Sequence, residues 1–498
     1  MKAFFIDCHV DYWINIATKF KEKYDWEIKY WVGKSINKSK ILSSFPNIVF
    51  HDVMDAVKGI SPIEINMVKL PAIDKKVLQE YSHCESIALK MMDRVAELKE
   101  FHYYERIRSY HKLLQYWLGI VEFFKPEIII RPTSPHLVYD YILYEICLKK
   151  DIKTVMFVRT SINGKVFPIN TIDQPIVQFP LTRKRENRKT EPSENGIQDQ
   201  LSEYVQKING TYENGKPYHV KFKNKKAQID NLFVFMLQRI YGLIRSGIPR
   251  NYVRLPDEKL DNYTASKLKY LKYELRGKLH RKYLKKQYAR LSSSKIDLTK
   301  PFVFVALQCQ PERSTSPDGE YFVHQNLMVE LISKSIPDNW NIYAKEHLSQ
   351  FKDYQRAEKS RDKLYYKELL RIPKVKLVSL NYTSFELIDA AKAVGVITGT
   401  VGIETLIRGK PVLLFGHAWY KGCEGVFLTT DWNSCKKAIK KIKSGYQVNH
   451  SQVISYLYTV MNTGYNAYVD IIYGDLLNIS EEENANTLFT AIQSNVYN

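Results

Sequence analysis

The sequence predicts an α/β chain of two doubly wound domains facing a cleft, with a basic helical insertion between them and closing helices at the C-terminus. Three observations carry this reading. Short apolar runs rich in β-branched and aromatic residues recur in two series, one before about residue 180 and one after Pro301. Segments with helical spacing of apolar residues separate them, and strand–helix–strand alternation at this spacing argues for parallel sheets covered by helices. Between the two series lies a stretch of different polarity, dominated by lysine and arginine.

In chain order, KAFFID (residues 2–7) reads as a buried first strand, followed by a helix near Tyr12–Lys23 and a second strand, WEIKYWVG. Apolar spacing over 75–124 predicts helix. A compact strand at Ile128–Ile130 enters the turn RPTSPH, then the helix Val138–Leu148 and the strand TVMFV follow. These make the N-terminal domain, residues 1–180. Residues 181–300 form the insertion: a polar loop, LTRKRENRKTEPSENG, an apolar island, LFVFMLQRIYGLI, and a helical run ending LHRKYLKKQYARL. The second domain, 301–440, alternates FVFVAL, a helix at Phe322–Ser335, NIYAKEH, a charged helix, KVKLVSL, a helix at Ser384–Ala391 and AVGVITG. Residues 441–498 supply the closing helices.

Composition narrows the function classes. With 45% hydrophobic residues the chain can bury two cores, which excludes wholesale disorder. The formal net charge is +21. Residues 221–300 hold 21 Lys and Arg against 6 Asp and Glu, an excess of 15. Such an excess favours an anionic partner: nucleic acid, a membrane surface or a phosphorylated substrate. Six cysteines without CxxC spacing point to reduced thiols rather than a metal or disulfide framework. Asp7 and Asp11 interrupt what would be the apolar core of a leader, and no run of about 18 apolar residues is present. A cytoplasmic protein is expected.

Four stretches carry candidate chemistry. In VITGTVGIETLIRGKPVLLFGHAWY a strand ends at Ile397, and Thr398, Gly399, Thr400 and Gly402 open a helix. The unpaired N–H groups and dipole of that helix end suit an anion, glycines allow close approach, and threonine hydroxyls add donors. The alternative is a tight turn that binds nothing. LQCQPERSTSPDGEYF follows the first strand of the second domain and is too polar for a core connection. Its Glu312 is a candidate nucleophile or base, with Arg313 near enough in sequence to lower its pKa. The alternative is a surface loop. In YAKEHLSQF, Lys345 and His347 would point the same way on a strand, toward one phosphate. In RPTSPHLVYD, His136 is a candidate general base on the acceptor side, with Asp140 one turn further on.

With these stretches placed, TGTVGIETLIRGKPVLLFGHAWY resembles the GSTxGFEALLxGKPVxxFG-type signature of the capsule polysaccharide synthesis family. QCQPERSTSPDGEYFVHQ and IYAKEH look like two further blocks of its surface-carbohydrate branch. The blocks cover roughly residues 300–425, with a looser match around Ser134–Thr160. The resemblance implies a GT-B-like fold of two Rossmann-like domains. It implies a glycosyltransferase of bacterial capsule or lipopolysaccharide synthesis. The transferred group would be an ulosonic or nonulosonic acid of the Kdo or pseudaminic acid type, passed from a CMP-sugar to a glycan or lipid-linked acceptor with retention. Catalysis would fall to Glu312, His347 and His136. Donor binding would fall to Gln310, Arg313, Ser314, Lys345, Thr398, Gly399, Thr400, Gly402, Glu404 and His417, with Asp140 on the acceptor side. The family's HP pair is His347–Leu348 here. No DxD motif lies near these loops, so no metal or other cofactor is expected beyond the CMP-sugar donor. The basic segment would meet anionic lipids at the inner face of the plasma membrane, the alternative being a solvated charged face. Other readings are a UDP- or GDP-sugar transferase or epimerase, a capsule-assembly scaffold, and a nucleic-acid-binding protein. The last is disfavoured because no interleaved aromatic–basic motif or helix-turn-helix signature occurs.

Overall fold

The computed structural model describes residues 1–65, 68–94, 102–162, 164–177, 194–215, 231–247, 267–352, 359–469 and 477–497. The chain divides into two compact units. Unit 1 comprises residues 1–174, 246–270 and 464–498, and unit 2 comprises 175–245 and 271–463. These limits differ from four consecutive segments. The C-terminal stretch is shared, with helix His450–Thr463 in unit 2 and helix Glu481–Tyr497 in unit 1.

Unit 1 is built on β1 (Lys2–Phe5), β2 (Glu27–Gly33), β3 (Val49–Asp52), β4 (Ile128–Ile130), β5 (Lys153–Arg159), β6 (Lys165–Ile169) and, from the C-terminal segment, β13 (Tyr465–Asn466). The sheet order is β13-β6-β5-β4-β1-β2-β3. Pairing is parallel from β3 through β5, and the central strands β1 and β4 carry apolar residues buried on both faces. On one face Ala3 and Phe5 meet Trp13, Trp31 and the helix Glu481–Tyr497 through Ala485, Leu488 and Ile492. On the other, Phe4 meets Tyr30 and Phe124 of the helix Tyr103–Phe124. The purely parallel sheet expected from the alternation is corrected at its edge: β6 runs antiparallel to β5, and β13 antiparallel to β6. Pro168 lies in β6 beyond the two residues that pair with β13, where a missing N–H costs no ladder bond on that side.

Unit 2 is built on β7 (Phe302–Ala306), β8 (Asn341–Lys345), β9 (Val375–Leu377), β10 (Ala393–Val396), β11 (Val412–Leu414) and β12 (Val426–Leu428), in the order β12-β11-β10-β7-β8-β9. All these pairs are parallel. Val303, Val305, Ile342 and Ala344 pack with Met328, Ile332, Leu369 and Ile439 from helices on one face. On the other face Phe302 stacks against Tyr343, and the helices Ser384–Ala390 and Val401–Ile407 cover β7 and β10.

Each unit therefore runs outward from its first strand through two more, then returns and crosses to the other side. Unit 1 reads β3-β2-β1-β4-β5-β6 and unit 2 reads β9-β8-β7-β10-β11-β12. This is the Rossmann-like doubly wound order, and two such units are the fold class expected. The strand order reverses between β1 and β4 and between β7 and β10. Ligands of open α/β sheets sit at that crevice, outside the carboxyl ends of the strands.

The insertion is helical where it is described, with helices at Glu194–Asn209, Leu232–Ser246 and Lys267–Leu291. Its polar loop from 181 lies almost wholly outside the described residues, as does part of the charged helix expected after His347.

Candidate active site

In unit 2 the loops leaving β7 and β10, the two strands of the switch point, are tied to each other. Gln308 donates through Nε2 to Thr398 Oγ1 at 2.9 Å and accepts from the Thr398 N–H at 3.1 Å. Thr398 Oγ1 in turn donates to the Ser314 carbonyl at 2.6 Å. The loop after β11 joins them: His417 N–H donates to the Asp318 carbonyl at 2.9 Å, and His417 Nε2 lies 2.8 Å from Glu320 Oε1. Glycine is required at two of these crossings. A Cβ on Gly319 would lie 2.6 Å from the Thr315 carbonyl, and one on Gly416 would lie 2.8 Å from the Asp318 carbonyl. Three stretches far apart in sequence thus form one loop cluster.

Within it, the Thr398 hydroxyl is spent on holding the loops together. Gly399 remains open, since a Cβ there would meet only Gln308 Oε1 at 3.8 Å, while its carbonyl accepts from Tyr420 at 2.5 Å. Gly402 answers to packing: a Cβ there would lie 2.5 Å from Tyr420 Cζ. Thr400 is half-buried at the head of the short helix Val401–Ile407 and bonds the Glu404 carboxyl. Glu404 itself is buried, and burial pushes its pKa up to about 7 against the pull of Thr400 and Arg408. It sits beneath the loop rather than on it.

Glu312 is half-buried in the same loop. Its carbonyl accepts from Thr315 and Ser316, and Oε2 lies 3.4 Å from Ser314 Oγ. Arg313 lies 3.6 Å from Asp318, so that carboxylate receives the guanidinium's charge. Glu320 holds φ +45, a conformation costly for a residue with a side chain, beside His417.

Lys345 ends β8 with its side chain almost wholly buried, on the Phe302–Tyr343 face of the sheet. Among the described residues its ammonium makes no hydrogen bond or ion pair. Burial lowers its pKa to about 8, partly offset by Glu386. The strand stops there. His347 instead heads the 3-10 turn Leu348–Phe351, where its Nδ1 accepts the Ser349 N–H at 3.1 Å. The alternation from which a shared direction was expected therefore ends before His347.

Gln310 lies in a buried polar network that sequence reading did not assemble. It accepts from Gln325 and Arg361 and donates to Gln350 and to the Val323 carbonyl. Arg361 also donates to Glu346 at 3.0 Å and to the Gln308 carbonyl at 3.1 Å, and stacks on Tyr365. Tyr366 completes Glu346 at 2.9 Å. Every charge in this network has a partner, so it anchors the loops after β7 and β8 from beneath.

Unit 1 has its own cluster at the β1/β4 switch point. His136 is exposed, and its N–H donates to Asp140 at 3.0 Å. Asp140 is fully buried, capping its helix and paired with Arg131 at 2.7 Å. Burial pushes its pKa up and Asp7 adds to the rise, while Arg131 and the His136 N–H pull it back. The residues unseen in the sequence are Asp7 and His9, directly after β1. Asp7 holds φ +61 and accepts from Tyr139. His9 Nε2 lies 3.7 Å from Asp7, and burial followed by Lys34 lowers its pKa to about 4, against Asp52 and Asp140. His9 Nδ1 and Arg131 Nε are buried without a hydrogen-bond partner among the described residues. The stretch FFIDCHVDYW carries the signal: polar residues straight after a first buried strand, the position that the candidate loop of unit 2 occupies after FVFVAL.

Residues 251–468 match the family described as capsule polysaccharide biosynthesis protein. No curated protein matches the sequence. Solved structures similar to this chain include two transferases from Thermosulfurimonas dismutans. KpsC, beta Kdo 2,7 transferase, is 11% identical with a TM-score of 0.26, covering 92% of this chain and 99% of that one. KpsC, beta Kdo 2,4 transferase, is 10% identical with a TM-score of 0.29, covering 67% and 87%. UDP-GlcNAc 2-epimerase from Neisseria meningitidis, bound to UDP-GlcNAc, is 10% identical with a TM-score of 0.22, covering 99% and 100%. Likeness at this level carries neither ligand nor reaction over to this chain.

Proposed function

We propose that the chain is a glycosyltransferase, a reading that starts from the match of residues 251–468 to the family described as capsule polysaccharide biosynthesis protein. The donor is a CMP-activated ulosonic or nonulosonic acid, of the Kdo or pseudaminic acid type, and the acceptor a glycan or lipid-linked glycan. The observation that carries the reading is the unit 2 switch point. A loop bearing Glu312 is tied to the glycine turn after β10, and β8, the strand beside β7, ends in a buried lysine with no hydrogen bond among the described residues. A cation in a low-dielectric position gains from a phosphate what it lacks from the protein.

Unit 2 is assigned the donor. Lys345 and His347 meet the phosphate, with the open backbone at Gly399 and Thr400 beside them. Ser314, Arg313 and His417 line the loop cluster. The Glu312 carboxylate attacks the anomeric carbon as the C–O bond to CMP breaks and the phosphate takes the electron pair. The acceptor hydroxyl then displaces Glu312, and two inversions give net retention. Unit 1 is assigned the acceptor. There the neutral His9 replaces the exposed His136 as the group suited to take the hydroxyl proton, with Asp7 to hold the imidazolium.

The test is transfer from CMP-Kdo and CMP-nonulosonic acids by the wild type and by Glu312→Ala and His347→Ala. Each substitution should lower turnover by about a thousandfold or more while the fold is retained. The Glu312→Ala protein should still bind CMP. Near-normal turnover in both variants would remove the mechanism.

A further inference from the structure

The helix Leu232–Ser246 of the insertion is turned inside out. Its inner side is held by Phe235 and Leu243, both buried, and by Arg239, which pairs with Glu274 of helix Lys267–Leu291 at 2.7 Å. Lys278 of that second helix lies over the Phe235 ring. Its outer side carries Phe233, Leu237, Ile240, Tyr241 and Ile244, three or four residues apart, on one stripe. Phe233 is 70% exposed, Tyr241 63% and Ile244 77%. Val234, Leu237, Gln238 and Tyr241 line a shallow open groove along it. Scattered exposed apolar residues need no explanation, but a continuous stripe on one helix marks a contact surface.

Charge says what the contact is. On the neighbouring helix Lys272, Arg276, Lys282, Lys285, Lys286 and Arg290 are all exposed. The acidic residue there, Glu274, is buried and already paired. Neither helix shows solvent an acidic side chain between 232 and 246 or between 272 and 291. An apolar stripe beside a purely cationic surface matches an interfacial helix, whose apolar side enters the acyl boundary while basic groups meet anionic headgroups. We propose that the exposed stripe of helix Leu232–Ser246 docks on an anionic phospholipid bilayer, with the lysines and arginines of the adjacent helix supplying the electrostatic attraction. No helix among the described residues is long and apolar enough to cross a membrane, and docking of this kind needs none. The proposal goes beyond the transfer reading and does not depend on it.

The test uses the full chain with vesicles of phosphatidylcholine alone and of phosphatidylcholine mixed with phosphatidylglycerol, separated by sedimentation. The wild type should bind the mixed vesicles, bind phosphatidylcholine weakly, and lose binding as salt rises. The double variant Phe233→Ser/Ile244→Ser should partition about tenfold less or lower still, at unchanged melting temperature, because both side chains are already in water. Equal partition of variant and wild type, or no binding to the mixed vesicles, would overturn the proposal. So would a concentration-dependent dimer in light scattering that the same variant abolishes without any vesicle binding, since a second copy would then occupy the stripe.

Discussion

A lysine held at 6% exposure without a hydrogen bond gives up protons more readily than one in water, and Lys345 titrates near pH 8 for that reason. At pH 7 it is mostly charged. A phosphate bound there should lose affinity as pH rises through 8, because the cation is discharged while the phosphate stays anionic. Lys345→Met should lower CMP affinity about tenfold at pH 7 and flatten that fall, as titration calorimetry across pH 6.5–9 would show. A fall of the same steepness in the variant would move the titrating group elsewhere. Glu404 gives the opposite kind of signal. Its carboxyl titrates near 7 when folded and near 4.5 when unfolded, so between those values the native state holds the extra proton. Stability then decreases as pH rises from about 4.5 to 7 and is level above that. Glu404→Gln should therefore raise the melting temperature at pH 8 and leave it nearly unchanged at pH 4. An equal effect at both pH values would mean that folding does not raise the pKa of this carboxyl.

Elements were legible where the physics is local. FVFVAL, EIIIR and AVGVITG are runs apolar on both faces, and each became a strand of a parallel sheet. The strand β6 was hidden by Pro168, and β13 by its length of two residues. The turn after β10 was read as a cradle for phosphate from its glycines and threonines. Its conformation is set by partners far along the chain: Gln308 and Ser314 take the Thr398 hydroxyl, and Tyr420 fills the space that Gly402 leaves. Spacing along one segment cannot show such partners. The packing makes a prediction of its own. Gly402→Ala should destabilise unit 2 by about 1–3 kcal/mol, since Tyr420 or the helix must move. Adding Tyr420→Ala should cost less than the sum of the two single changes. Strict additivity in denaturant unfolding would show that the two residues do not compete for space.

Over the whole molecule, the two doubly wound units followed from strand–helix alternation, whereas their limits did not. Helix Glu481–Tyr497 returns to the unit 1 core through Ala485, Leu488 and Ile492, a contact across nearly the whole chain that no local pattern announces. The same applies to the sites. Glu312, Lys345 and His347 are legible as candidates because each follows a readable strand, whereas the buried position of His9 beside Asp7 is visible only in the fold. Glu346 and Arg361, 15 residues apart, became a pair only in the fold. The central claim is that unit 2 holds a CMP-sugar. Its most direct test is the melting temperature of the full chain with CMP, UDP or GDP and without ligand. A shift with CMP that exceeds those with UDP and GDP, and that Lys345→Met diminishes, is the predicted result. A shift with UDP or GDP but not CMP would contradict it.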